Sequence, residues 1–187
     1  QHTANYHSIF AQSLGLEIFI PATPEEAFYQ IKYMNKLNKP CVMLEHRYLS
    51  QISQNFNVKN KNYKIYTYKF FKEKKKTKII LITYADTFYD AIFAREYLRK
   101  FNIDVAILNL SYFPSDKRVS DKVFKILSKY EFNIYIESAP KEFSLLSGIL
   151  SERVLKNIKD KSKNYFLSPK NIPAPADPKG MSLYYVN

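Results

Sequence analysis

Three histidines stand where imidazole chemistry is conceivable: His2 and His7 near the start, and His46 in the run Leu44-Glu45-His46-Arg47. Imidazole titrates near neutrality and can carry a proton or hold a metal. With Glu45, these three could in principle ligate a metal. Their spacing matches no zinc pattern of the H-E-x-x-H kind, and one cysteine supplies no thiolate set. Ser8 and Ser13 have no nucleophile elbow around them. Asp86, Asp90 and Glu96 are expected on a solvated helix face. Glu45, His46 and Arg47 close a predicted strand, and in open parallel sheets ligands bind at the carboxyl ends of the strands. The same three residues could equally form an interface or a salt-bridge corner. Residue chemistry alone reaches a polar strand end and names no reaction.

The elements that must carry these groups are legible. Residues 16–21, LEIFIP, read as a strand ended by Pro21. Thr23, Pro24 and Glu26 spell a helix start: an N-cap, a proline in the first turn and a T-x-x-E capping box. Ala27, Ile31, Met34 and Leu37 recur at three and four and predict the buried face. Asn38-Lys39-Pro40 stops the helix, and CVMLEHR is a short strand after it. The segment YKIYTYKFF alternates as an edge strand or hairpin arm, and KEKKKTK reads as a solvated turn. From residue 79 strands and helices alternate: IILITY, a helix from Asp86, DVAILNL, a helix over SDKRVSDKVFKILSKY, NIYIES, a helix over KEFSLLSGILSERVLKNI, and NYFL. The inward positions are Phe88, Ala91, Ile92, Arg95 and Leu98 in the first helix, and Val119, Val123, Ile126 and Leu127 in the second. The proline-rich SPKNIPAPADPKGMSLYYVN is a tail lying over a surface. Strands alternating with helices predict an α/β fold with a mostly parallel sheet and flanking helices.

Composition narrows the classes. The chain has 187 residues, 46% hydrophobic and 16% aromatic, enough for a real core. Only three glycines are present, and no phosphate-cradling glycine loop occurs. The net charge of +12 is spread over linkers and helix faces among many Asn, Tyr and Ile. It reads mainly as compositional drift and a solvated surface, so nucleic-acid binding is a minor alternative. Cys41, in the apolar run CVML, is expected to be a small buried hydrophobe in a reducing compartment. No run of roughly 20 apolar residues predicts a membrane span. No signal peptide is visible, and a start at Gln1 suggests a fragment or processed product.

The order of residues reaches further than their chemistry. Gln1, His2, Gly15, Leu16, Pro21, Thr23, Glu26, Ala27, Pro40, Leu44, Glu45, His46, Arg47 and Leu49 follow one another as in the β subunit of thiamine-diphosphate-dependent 2-oxoacid dehydrogenases, the E1 component. That family carries a Gln-His-Ser motif, a Gly-Leu strand, a Pro-x-(Thr/Asn) helix start and a Leu-Glu-His strand end. The remainder resembles the transketolase C-terminal domain that follows in the same family. IYIES stands where the family has a strand ending in an acidic residue, and NIPAPADP resembles its terminal proline run. The departures are Thr3 for the motif serine, Ala85 for a glycine, LSYF for an arginine segment and PKEFSLLSG for a glycine pair.

The resemblance implies three regions: 1–50, the end of a thiamine pyrimidine-binding domain; 51–78, a basic linker; and 79–187, a transketolase C-terminal-like domain with its tail. It implies thiamine diphosphate with magnesium in the intact enzyme. The activating glutamate would lie upstream, and the diphosphate–magnesium site on an α subunit. The matching histidine, His2, becomes a candidate catalytic residue that handles protons. Carbonyls of Met34, Asn35, Leu37 and Lys39 match positions that hold a structural potassium ion in some members. Implied partners are the E1 α subunit, a second β subunit through the C-terminal domain, and the lipoyl domain of an acyltransferase, with no membrane contact. Implied locations are the cytoplasm or the matrix or stroma of an organelle. The activity implied is oxidative decarboxylation of a 2-oxoacid of the pyruvate or branched-chain type, with acyl transfer to lipoamide. The cofactor's ylid attacks the keto carbon and carbon dioxide leaves. The isolated chain is expected to be inactive. Alternatives are a transketolase-like or deoxyxylulose-phosphate-synthase-like sugar enzyme, or a non-catalytic subunit-association module.

Overall fold

The computed structural model describes residues 7–13, 15–59, 64–116, 119–140, 144–155 and 162–169. His2 and the proline-rich tail from residue 170 lie outside the described residues. The elements run α1 (His7–Ser13), β1 (Glu17–Phe19), α2 (Pro24–Met34), β2 (Cys41–Met43), a 3-10 turn (Arg47–Gln51), β3 (Tyr68–Phe71), β4 (Ile79–Thr83), α3 (Thr87–Arg99), β5 (Ala106–Leu110), β6 (Tyr112–Phe113), α4 (Asp121–Leu127), β7 (Phe132–Ile136), α5 (Leu145–Leu155) and β8 (Lys163–Leu167).

The strands form two sheets. The larger has the order β3-β5-β4-β7-β8; β4, β5, β7 and β8 are parallel, and β3 is an antiparallel edge. The smaller has the order β2-β1-β6, with β1 and β2 parallel and β6 antiparallel to β1. This is the α/β architecture with a mostly parallel sheet that alternating strands and helices predict. The chain crosses between sheets within four residues, because β5 belongs to one and β6 to the other.

Alternation along β4 and β5 divides the core. Ile80, Ile82, Ala106, Leu108 and Leu110 join Val123, Phe124 and Leu127 of α4, Leu145, Leu146 and Ile149 of α5, Ile18 of β1 and Ile20 just after it. The opposite side chains, Leu81 and Ile107, meet Phe88 and Ala91 of α3 with Val105. One hydrophobic cluster therefore links the small sheet to the large one, and the two strand sets keep a fixed relation.

The start of α2 follows its sequence signals with one variation. Thr23 Oγ1 accepts the Glu26 N–H at 3.2 Å, and the Glu26 carboxylate accepts the Ala22 N–H at 2.9 Å, one residue before the usual capping-box donor. The buried face of α2 differs from its apolar spacing. Glu26, Tyr29 and Gln30 are buried, Ala27, Met34 and Leu37 are half-buried, and Ile31 is 47% exposed. Polar anchoring sets that rotation. Gln30 Nε2 donates to the Ser111 carbonyl at 3.0 Å, the Tyr29 hydroxyl donates to the Asn57 carbonyl, and Tyr33 packs edge-on against Phe19 and Tyr112.

The basic run before β4 is also more than a solvated turn. The Lys74 and Lys75 N–H groups donate to Asp104 Oδ2 at 2.6 and 3.2 Å. Asp104 Oδ1 accepts Arg95 Nε at 3.1 Å, Arg99 Nε at 3.0 Å and the Val105 N–H at 3.0 Å. Arg95 also donates to the Phe71 and Lys72 carbonyls at 3.4 and 2.7 Å. This buried carboxylate therefore ties α3, the start of β5 and the lysine-rich turn together.

Ala85 takes a left-handed φ of 50° immediately after β4 and is fully buried. It is also the position where the resembling family has glycine, the residue to which that conformation costs least. Ala85→Gly is expected to stay within about 1 kcal/mol of the parent, because relieved strain offsets the lost methyl burial. Ala85→Val, β-branched at positive φ, is expected to cost about 2 kcal/mol or more. Thermal melts of both variants check the pair.

Candidate functional site

The carboxyl ends of the parallel strands gather the polar groups. Leu44, whose N–H donates to the Phe19 carbonyl at 2.8 Å, carries the chain off β2 into Glu45, His46 and Arg47. The chain leaves β4 through Tyr84, Ala85 and Asp86, and leaves β7 at Glu137. His46 Nε2 stands 3.7 Å from Asp86 Oδ2. His46 Nδ1 and Asp86 Oδ1 are buried without a hydrogen-bond partner among the described residues. Asp90, one turn into α3, has its carboxyl pushed up by burial and by Asp86, against an opposing pull from His46.

His7, on α1, meets Tyr84 edge-on at 5.2 Å. Burial, aided by the charge of His46, drives its pKa down to about 4, so it is a neutral imidazole at neutral pH. The Tyr84 hydroxyl donates to Glu137 Oε1 at 2.5 Å. The same carboxylate accepts the N–H groups of Leu145 and Leu146 at 2.8 and 3.1 Å, so it caps α5. Burial raises the Glu137 pKa, opposed by Ser144, Tyr84 and those two amides. Thr87 Oγ1 donates to the carbonyls of Tyr84 at 2.8 Å and Ile136 at 3.1 Å and locks the β4 and β7 ends together.

Beside His46 opens a cleft of about 270 Å³ lined by Thr23, Ala27, Glu45, His46 and Ser50 among others. His46 is the one imidazole among the described residues that faces a cleft and a carboxylate together. The arrangement sets an imidazole and a carboxylate side by side at the wall of the cleft. Glu45 and Arg47 are exposed rather than joined to that pair.

The other sequence candidates scatter. His7, Glu45 and His46 do not assemble a metal set; no group of three His, Cys, Asp or Glu among the described residues could hold a metal ion. Ser8 is buried on α1, and Cys41 is half-buried on β2 rather than fully enclosed. Asp86 is not on a solvated face: its side chain is 21% exposed and turned to His46. Glu96 is exposed and pairs with Arg99 at 2.6 Å. Met34, Asn35, Leu37 and Lys39 follow one another through the last turn of α2 and beyond. The Met34 carbonyl accepts the Leu37 N–H at 3.0 Å. Lys39 Nζ lies 3.3 Å from the buried Glu17, which also accepts the hydroxyls of Tyr112 at 2.5 Å and Ser115 at 2.8 Å. Burial alone would raise the Glu17 pKa; these partners hold it below the ordinary value. Residue chemistry overlooked Tyr84 and the burial of His7. For Tyr84 the usable signal is its place at the end of the apolar run IILITY; for His7 the sequence carries none.

No family model matches the chain, and no curated protein matches it. Its fold is shared with a solved structure described as "Split gene transketolase, inactive beta4 tetramer", at 11% identity and a TM-score of 0.71. The fold is that of a transketolase C-terminal-like domain. The likeness covers 95% of this chain and 56% of that one, so the chain spans little more than half the length of the transketolase chain it matches. In this transketolase-like fold, the cluster of His46, Asp86, Tyr84 and Glu137 occupies the strand ends of the large and small sheets together. No helix of the described residues is long and apolar enough to cross a membrane.

Proposed function

We propose that the chain is part of the β subunit of a thiamine-diphosphate-dependent 2-oxoacid dehydrogenase, built for oxidative decarboxylation with acyl transfer to lipoamide. The observation that carries the reading is the LEHR strand end standing beside the end of β4 in a transketolase-type fold. The left-handed Ala85 at a family glycine position and the acidic Glu137 at the end of β7 support it. Under this reading residues 1–50 close a pyrimidine-binding domain, 51–78 form the basic connection and 79–187 the C-terminal domain.

Thiamine diphosphate supplies the carbanion chemistry in such enzymes. The described residues do not fit its diphosphate and magnesium, because they hold no cluster of three metal-ligating side chains and the chain has no glycine-rich phosphate loop. Those groups belong to the partner α subunit, so the chain alone is an inactive piece. That reading agrees with the word "inactive" in the description of the similar β4 assembly. His2, which lies outside the described residues, is the proposed proton-handling residue. In an α-reconstituted enzyme, His2→Ala is expected to lower kcat by about 10²–10⁴-fold, with KM changed much less. Isothermal titration of the isolated chain with thiamine diphosphate is expected to give no heat of specific binding; micromolar binding would overturn the assignment of the diphosphate to the partner.

A potassium ion on the carbonyls of Met34, Asn35, Leu37 and Lys39 belongs to the same proposal. Backbone carbonyls suit a hard cation, and the Met34 oxygen keeps one lone pair beyond its Leu37 bond. Exchange of potassium for lithium at constant ionic strength is expected to lower Tm; an unchanged Tm contradicts the site.

The second copy of this chain, the α subunit and a lipoyl domain are the proposed partners, in the cytoplasm or in an organelle's matrix or stroma. A sugar-acting, transketolase-like enzyme is the second reading, favoured by the description of the similar structure. The strand end is Leu-Glu-His-Arg rather than the basic phosphate-binding ending expected of sugar enzymes, which favours the 2-oxoacid.

A further inference from the structure

The end of the large sheet opposite the His46–Asp86 cluster gathers basic charge that composition alone spreads over linkers and helix faces. Hydrogen bonds knit this end together. Lys75 Nζ, in the turn before β4, donates to Asn102 Oδ1 at 3.1 Å, just past α3. The Tyr130 hydroxyl, just past α4, donates to Glu73 Oε2 at 2.7 Å. The Phe132 N–H donates to the Lys78 carbonyl at 2.9 Å, and the Lys163 N–H to the Glu131 carbonyl at 2.7 Å. Lys74, Lys75 and Lys76 are exposed on the turn, Lys100 and Lys129 at the helix ends and Lys163 on β8. The nearby acids are already engaged. Glu131 pairs with Lys78 at 2.7 Å, Glu96 with Arg99 at 2.6 Å, and Asp104 is buried against Arg95 and Arg99. None of the exposed lysines just named has a carboxylate partner among the described residues. Lys100 and Lys129 answer the negative ends of α3 and α4. Lys74, Lys75 and Lys76 answer no such charge, and an anionic surface outside the chain would relieve their repulsion.

Apolar groups stand among these lysines. Phe101 is 60% exposed and Ile103 44%, on either side of the Asn102 that Lys75 holds. Tyr97, one turn earlier and 60% exposed, has its ring centroid 5.3 Å from that of Phe101. We propose that this end is a peripheral docking face for an anionic lipid bilayer. The lysines meet the headgroup phosphates, and Phe101 and Ile103 enter the interface. Three observations favour lipid over nucleic acid. The free cations are lysines, point charges without the arginine fork that reads bases. Ile103 offers no ring for a base to stack on. The cleft of about 290 Å³ at this end has Glu96 and Asp104 in its wall, which would repel a phosphodiester strand entering it. The resemblance implies no membrane contact; this face supplies one without a spanning helix, and it does not depend on the reaction proposed above.

Cosedimentation of the full chain with vesicles tests it. Phosphatidylcholine vesicles carrying about 30% phosphatidylglycerol are expected to bind the chain about tenfold or more tighter than phosphatidylcholine alone, and less so as salt rises. Lys74→Glu with Lys76→Glu is expected to weaken that binding about tenfold or more. Lys36→Glu with Lys59→Glu makes the same charge change on exposed lysines elsewhere and is expected to weaken it no more than about threefold. The chain has no tryptophan, so Phe101→Trp gives a single reporter, whose emission is expected to shift to the blue with the anionic vesicles. Equal losses in the two double variants reduce the effect to net charge and overturn the face. An unshifted emission overturns the entry of Phe101. A single-stranded oligonucleotide that binds more tightly than the vesicles and displaces them assigns the lysines to nucleic acid and overturns the lipid. No binding of the parent to anionic vesicles overturns the proposal and leaves the dehydrogenase reading untouched.

Discussion

Replacing Asp104 by Asn is expected to destabilise the chain by about 3–5 kcal/mol, because it leaves a buried guanidinium without its charge partner. The Asp104 side chain is 3% exposed and that of Arg95 is 8%. The carboxylate accepts two turn amides, its neighbour's amide and two arginines, whereas an amide offers one acceptor oxygen and presents an N–H₂ to donors already there. At this chain length the loss corresponds to roughly 10 °C in Tm. The pH dependence is specific. Burial would raise the Asp104 pKa, but the Lys75 and Lys74 amides and then Arg99 and Arg95 overcome it and hold it far below its ordinary 3.8. A depressed carboxylate contributes stability above pH 3.8 that is lost as pH falls through the folded-state value. The Asn variant should therefore show a shallower loss of stability below pH 4 than the parent, read by urea titrations at stepped pH.

Glu137→Ala is expected to cost about 3 kcal/mol, since three donors lose their acceptor in the interior: the Tyr84 hydroxyl and the amides of Leu145 and Leu146. α5 loses its cap, and its first turn should lose hydrogen-exchange protection before the rest of the fold. Tyr84→Phe removes one of those donors, so the double variant should cost less than the sum of the singles. The sign of the pH effect is opposite to that of Asp104. Burial raises the Glu137 pKa above its ordinary 4.5, so the folded state holds the proton more tightly than the unfolded chain. Its contribution falls as pH rises from 4.5 through the folded value, and the Ala variant loses that dependence.

Strong local signals carried most of the fold. IILITY, DVAILNL and NIYIES are continuous or alternating apolar runs, and they became β4, β5 and β7 with the expected parallel pairing. Thr23 and Glu26 fixed the start of α2 because capping is local chemistry. The buried side of α2 escaped the same reading, since Gln30 and Tyr29 are turned inward by acceptors 81 and 28 residues away. β6 has two residues and α1 seven, too short for any period to register. The site was legible at one end only. His46 could be placed at a strand end from its own neighbours, but Asp86 became its partner through packing of two strands 40 residues apart. His7 owes its lowered pKa to burial that its polar surroundings in sequence do not announce.

Activity of the chain reconstituted with the proposed α subunit bears most directly on the central reading. With thiamine diphosphate and magnesium, ferricyanide reduction should depend on pyruvate or a branched-chain 2-oxoacid, and ketopentose phosphates should give no turnover. The chain without α should be silent in both assays. Turnover of ketopentose phosphates with no 2-oxoacid reaction would contradict the dehydrogenase account and establish the sugar enzyme in its place.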